Sequence, residues 1–215
     1  MNVAFLLSSA AYLLKGAGVS LAIAVAAILV AGVLGLFVAL CRLYGWWPLR
    51  LLAGFSVFVI KGVPLLILLI GGYFSLPYLG IDLPSAAVAV VAIGIYFAAY
   101  ASEVYRAAIL SIPAHQWDAG RSLGFTRGQL FQQVILPQTA RFCAAPLIGL
   151  FIMAVKATSL VTAIGGWELV GAGKEIAERS QDALAAYLGI AALYFLICFG
   201  LSRLAKAVEK AFSHE

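Results

Sequence analysis

Five long apolar runs constrain this chain more than any other feature. A helix needs ~20 mostly apolar residues to cross the hydrocarbon core of a bilayer. Such runs cover Gly16–Cys41, a shorter Gly62–Leu79, Pro84–Leu110, Phe142–Gly165 and Ala183–Leu204. They predict an all-α, polytopic membrane protein with about five transmembrane helices, forming a single domain over 1–215. Composition agrees: 64% of the 215 residues are hydrophobic and 11% are charged, with a mean hydropathy of +1.06. A soluble domain carries about 25% charged residues, so this chain lacks the polar surface for a water-facing globule. Residues 1–15 do not read as a signal peptide, because no basic segment opens them and the apolar run that follows is too long.

The net charge of +5 reflects basic residues at one membrane face rather than a nucleic-acid surface, since no basic run is interleaved with aromatics. Arg42, Arg50 and Lys61 lie between spans one and two. Arg121, Arg127 and Arg141 lie between spans three and four, and Arg203, Lys206 and Lys210 follow span five. The opposite loops hold Asp82, Glu168, Glu175, Glu178 and Asp182 against Lys15, Lys174 and Arg179. Positive-inside then puts the N-terminus outside and the C-terminus in the cytoplasm. Trp46–Ile60 opens with Trp46, Trp47 and Pro48 and reads as a helix lying in the interface. No internal repeat is evident. Cys41, Cys143 and Cys198 sit far apart in or beside apolar runs and read as small buried hydrophobes, not as a redox or metal set. His115 and His214 have no carboxylate cluster beside them, so neither a metal nor a cofactor is expected.

The loop between spans three and four, about 111–138, is too polar to span yet patterned as helix. Thr126 and Gln129 have capping-box spacing. Leu130, Phe131, Val134 and Ile135 share a face, and Pro137 either ends that helix or bends it into span four. Upstream, Pro113 suits a first helical turn and Gly124 a left-handed C-terminal cap. The loop therefore reads as two short helices hinged at Gly124. In the first, Gln116, Ala119 and Leu123 share a face beside Gly120, and the small residues are expected to let another protein approach the backbone. An amphipathic loop lying on lipid headgroups is the plainer alternative from patterning alone.

Asp118-Ala119-Gly120, three residues, Gly124, nine residues and Val134-Ile135-Leu136-Pro137 resemble the cytoplasmic motif of ABC importer permeases. That motif runs Glu-Ala-Ala, three residues, Gly, nine residues, Ile-x-Leu-Pro. Every spacing matches, and Asp118, Gly120 and Val134 are substitutions within it. Other segments resemble the polar amino-acid uptake subgroup, the histidine, glutamine and arginine permeases. They are Lys61-Gly62-Val63-Pro64-Leu65-Leu66, Ala99-Tyr100 through Glu103 and Arg106, and Lys156-Ala157-Thr158-Ser159-Leu160. Ala157 replaces the subgroup's aspartate, and Ala114-His115-Gln116 replaces a basic-Gly-Gln step. The resemblance covers roughly residues 16–210.

The resemblance implies a non-enzymatic subunit of an ATP-driven importer for polar amino acids in a bacterial cytoplasmic (inner) membrane. Gln116, Asp118, Ala119, Gly120, Leu123, Gly124 and Pro137 would couple it to a dimer of separate ATP-binding subunits. Its other partners would be a second permease subunit (a second copy or a related chain), an extracytoplasmic solute-binding protein, the amino-acid substrate and membrane lipid. The chain itself has no phosphate-binding Gly-x-x-x-x-Gly-Lys-Ser/Thr loop.

Charges inside the spans have two readings. Ionisable residues in a bilayer usually face an interior or a cavity. Lys156, with Thr158 and Ser159, either lines the translocation path and meets a substrate carboxylate, or Lys156 pairs internally to fix the bundle. Glu103 and Arg106, one turn apart, are expected to form a structural ion pair. Three other classes stand against the importer subunit. An ion-coupled secondary transporter would use Glu103 and Lys156 as a charge relay. A membrane enzyme would need a nucleophile and base at one depth, which the sequence does not supply. A structural scaffold leaves the spacing of the loop motif without a cause.

Overall fold

The computed structural model describes residues 3–212, and among them every regular element is helical. In chain order these are α1 (Val3–Tyr44), α2 (Trp47–Gly62), α3 (Leu65–Ser75), α4 (Ser85–Leu110), α5 (Ala114–Ser122), α6 (Arg127–Leu130), α7 (Leu136–Ala157), α8 (Leu169–Ser180) and α9 (Ala183–Phe212). His214 lies outside the described residues.

Four helical stretches are long and apolar enough to cross a membrane, and two further helices pass the same test only when taken together as one bent pair. The pair is α2 with Leu65–Leu79, which meet at 101°. Pro64 causes the break: it offers no amide hydrogen, and it holds Val63 in an extended conformation at φ −101° and ψ 131°. The helix opened by Trp46 and Trp47 is thus a separate element from span two. Span two itself is short, 11 residues of α-helix and 4 of 3-10 helix, or ~24 Å against a hydrocarbon core of ~30 Å.

The bundle is organised on α1 and α4, which pack together more extensively than any other pair of helices. In lipid there is no hydrophobic drive between helices, so close contact depends on small residues. α1 supplies Ala27, Ala31, Gly35 and Ala39 at four-residue spacing, and the three alanines are almost wholly buried. α4 answers with Gly94, Ala98 and Ala101. A β-carbon added at Gly35 would lie 2.7 Å from Ala101 Cβ and 2.9 Å from the Ala98 carbonyl oxygen. The helix backbones are therefore in near contact there. Leu69, Ile93, Phe97, Leu150 and Val161 continue this core into α3, α7 and the turn after it.

Span four differs from expectation in its start. Pro137 does not end the preceding helix. The chain runs helically from Arg127 to Ile164, with a π-helical segment at Phe131–Ile135 immediately before the proline. The wider turn lets the Leu136 amide donate to the Phe131 carbonyl just before a residue that has no amide hydrogen to give. Helix α8 was not anticipated. It occupies the acidic stretch read as a loop, and it packs against α1 and α9.

Candidate functional site

The polar loop folds as two short helices. α5 follows Pro113, which sits one residue ahead of the first turn as its N-cap. It ends at Gly124, whose φ of +80° is left-handed backbone that a β-carbon would strain. The Phe125 amide reaches back to the Gly120 carbonyl at 3.1 Å, closing the turn. Thr126 then caps α6: its amide donates to Gln129 Oε1 at 2.9 Å, and the Gln129 amide donates to Thr126 Oγ1 at 3.3 Å. Ile112, Leu130 and Ile135 form a small core beneath the two helices, flanked by Trp117, Phe125 and Phe131.

That core corrects the expectation for Gly120. It is buried, not presented to a partner, and a β-carbon there would collide with Leu130 Cδ1. Its small size serves the contact between α5 and α6. The outer surface belongs to Asp118, Ala119, Ser122 and Leu123, and the Leu123 side chain is 75% exposed. Gln116 is half-buried and accepts from Gln138 Nε2 at 2.9 Å, tying α5 to the start of α7. Pro137 is exposed at that start.

Glu103 is more heavily engaged than the expected pair with Arg106. Its Oε2 accepts from Arg106 Nε at 3.1 Å and Nη2 at 2.9 Å, and its Oε1 accepts from Arg42 Nη1 at 2.9 Å. Arg42 comes from α1, so the carboxylate clamps the end of the α1–α4 seam. The sequence reading counted Arg42 only as a loop charge. Nothing local marks a contact 61 residues away.

Around Lys156 the three proposed path residues separate. Lys156 is exposed, and among the described residues it makes no ion pair. The Ser159 hydroxyl donates to the Lys156 carbonyl at 2.7 Å. Both side chains border a groove of about 350 Å³ with Val170, Tyr187 and Tyr194. Thr158 departs from expectation: it is fully buried and turned inward, donating to the Val155 carbonyl at 2.7 Å beside Tyr194. It lies behind the groove rather than on it.

Sequence reasoning missed the most connected polar group. Glu168, counted as a loop charge, is fully buried. Oε1 accepts from Thr162 at 2.7 Å and from the amides of Val170 and Gly171 at 2.8 and 3.2 Å. Oε2 accepts from Ser20 at 2.9 Å and from Tyr194 at 3.0 Å. One carboxylate thereby joins α1, the turn after α7, the start of α8 and α9. Its position just before Leu169, where an acid caps a helix and meets the positive end of the helix dipole, was the available signal.

A bundle of membrane-crossing helices with a compact, capped helical loop at one end defines a polytopic membrane subunit. Residues 31–214 match the family described as the binding-protein-dependent transport system inner membrane component, and the chain belongs to that family. Among curated relatives, the chain is 33% identical over 213 residues to the probable amino-acid ABC transporter permease protein YckA of Bacillus subtilis (strain 168), covering 99% of this chain and 94% of YckA. It is 38% identical over 179 residues to the L-cystine transport system permease protein TcyB of the same organism, covering 83% and 76%. It is 35% identical over 201 residues to the glutamine transport system permease protein GlnP of Escherichia coli (strain K12), covering 92% and 91%. A solved amino acid ABC transporter with histidines superimposes at a TM-score of 0.89 with 30% identity, covering 98% of this chain and all of that one. The MetNI methionine ABC transporter, at 20% identity and a TM-score of 0.76, shares the fold. Nothing in these matches supports an ion-coupled carrier.

Proposed function

We propose that this chain is the permease subunit of an ATP-driven importer of polar amino acids, coupled through α5 to a separate ATP-binding subunit. The observation that carries this reading is the folded loop: a motif with matched spacing forms a capped helical pair that offers Asp118, Ala119 and Leu123 outward. A rigid pair of this kind can transmit a push from a partner into α7, because α6, the π-helical segment and α7 are continuous. The two-state element is then the bundle itself, tipped as a rigid body between openings. The named substrates of the relatives, glutamine and cystine, support a polar amino acid as cargo. Lys156 and Ser159, on the groove between α7, α8 and α9, are the residues assigned to the path; an exposed ammonium suits a substrate carboxylate. Arg42 and Lys61 at the ends of α1 and α2, Arg106 on α4 and the basic loop support a cytoplasmic coupling face, with the acidic stretch from Glu168 to Asp182 outside. A second permease subunit and an extracytoplasmic binding protein complete the assembly in the bacterial cytoplasmic membrane.

The test is reconstitution. The chain, co-expressed with an ATP-binding subunit and a solute-binding protein from the same source, should hydrolyse ATP faster when a polar amino acid loads the binding protein. Uptake into vesicles should require ATP and ignore an imposed proton or sodium gradient. Gradient-driven uptake by the chain alone would overturn the reading.

A further inference from the structure

We propose that the groove between the end of α1 and the loop helices is a binding site for an anionic phospholipid. The groove has a volume of about 660 Å³ and is walled by Leu40 and Tyr44 of α1, Trp117 and Arg121 of α5, and Arg127 and Phe131. Tyr44 and Phe131 meet edge to face at 6.4 Å and close its floor. The occupant is indicated first by charge. Two guanidinium groups border the groove and no carboxylate does. Arg127 makes no ion pair among the described residues, and Arg121 has only a long 3.6 Å contact with a well-exposed Asp118. Tyrosine and tryptophan are the residues that settle at headgroup level.

Shape gives a second, independent indication. Leu29, Val33, Phe37, Leu40 and Tyr44 recur on one face of α1, and all but Leu40 are large side chains more than half exposed. From Val33 to Tyr44 that strip is ~16 Å long, about one leaflet of a hydrocarbon core of ~30 Å. An acyl chain lying on it delivers its phosphate to Arg121 and Arg127. The groove is also separate from the surface assigned to the ATP-binding subunit. On α5, Trp117 and Arg121 share one face, while Ala119 and Leu123 fall on nearly the opposite one at ~100° per residue. A lipid in the groove would bridge a span and the loop without occupying the outer face.

The chain, purified with its co-expressed subunits, is placed in nanodiscs of equal phosphatidylglycerol and phosphatidylcholine. The lipids it retains through a detergent wash are then counted by native mass spectrometry. The wild type should retain phosphatidylglycerol preferentially. Arg121→Gln and Arg127→Gln should each lower that preference by about 5-fold, the equivalent of ~1 kcal/mol per basic residue at an anionic surface. Arg127→Lys, which keeps the charge, should retain it and guards against misfolding as the cause. Arg50→Gln should also retain it, since Arg50 lies near the same end of α1, outside the groove, donating to the Gly45 carbonyl at 3.3 Å. Equal retention of the two lipids by the wild type overturns the proposal. So does an equal loss in Arg50→Gln.

Discussion

The Ser20 hydroxyl donates to the Glu168 carboxylate at 2.9 Å, and both side chains are fully buried. Ser20 also accepts from the Leu169 amide at 3.1 Å, so α1 and the first turn of α8 are stitched twice at one point. An ionisable group in such a place is costly unless every lone pair is satisfied. Here five donors satisfy it, and none of them is a cation.

Glu168→Gln should therefore destabilise the chain although it is nearly isosteric. The amide nitrogen would face hydroxyls or amides that now donate, leaving at least one donor without an acceptor at ~1–3 kcal/mol. Ser20→Ala should cost less, about 1 kcal/mol for one hydrogen bond. Thermal unfolding of the detergent-purified variants, followed by loss of the monodisperse peak in gel filtration, gives the ranking. An unchanged midpoint for Glu168→Gln would mean that the carboxylate does not pin the four elements.

The α1–α4 seam makes a second prediction. Gly35→Val pushes a branched side chain into the Ala98 carbonyl and Ala101, where backbone rather than a flexible tip must move. Overpacking of this kind typically costs ~1–3 kcal/mol. Gly18→Val on the same helix meets nothing within 4 Å and should be nearly neutral. The same melting assay distinguishes them, and equal midpoints would refute the close seam.

Much of this architecture was legible in advance because a bilayer demands long apolar runs and internally satisfied backbone. The long apolar spans, the separate helix opened by Trp46, the left-handed Gly124 and the Thr126 capping box were all readable from local chemistry, whereas Pro64 was read inside span two rather than as a break. Local chemistry failed wherever a distant residue decides. Glu168 looks like any loop acid until Ser20 and Tyr194 are brought to it, and Arg42 looks like a membrane-face charge until Glu103 arrives. Gly120 shows the same limit in the other direction. Its small size was read as room for a partner, whereas the neighbour that needs the room is Leu130, ten residues on.

Removing one carboxylate should expose two arginines to each other. Glu103→Gln leaves Arg42 and Arg106 with a weaker, uncharged acceptor at the end of the seam. Arg106 is 36% exposed and Arg42 18%, so solvent screens the first more than the second. Arg42→Gln should therefore destabilise more than Arg106→Gln. Glu103→Gln should exceed both, because it breaks both contacts. A double-mutant cycle between positions 42 and 103 should give a coupling above ~0.5 kcal/mol. A coupling near zero would reduce the clamp to a surface pair.

The loop separates folding from coupling, and two substitutions test the separation. Gly120→Leu forces a side chain onto Leu130 within the core shared with Ile112 and Ile135, so α5 and α6 should come apart. Leu123→Asp changes a side chain that is 75% exposed and should leave that core intact. If α5 seats in a partner, both variants should lose substrate-stimulated ATP hydrolysis, for different reasons. Limited proteolysis of the purified chain distinguishes them. Gly120→Leu should open the 114–130 segment to cleavage, while Leu123→Asp should resist like the wild type and yet fail to retain the ATP-binding subunit in a pull-down. Replacing a buried apolar anchor at an interface commonly costs ~2 kcal/mol or more, so Leu123→Asp should weaken capture by at least ~30-fold. Full capture and full stimulation by Leu123→Asp would move the docking surface off this helix.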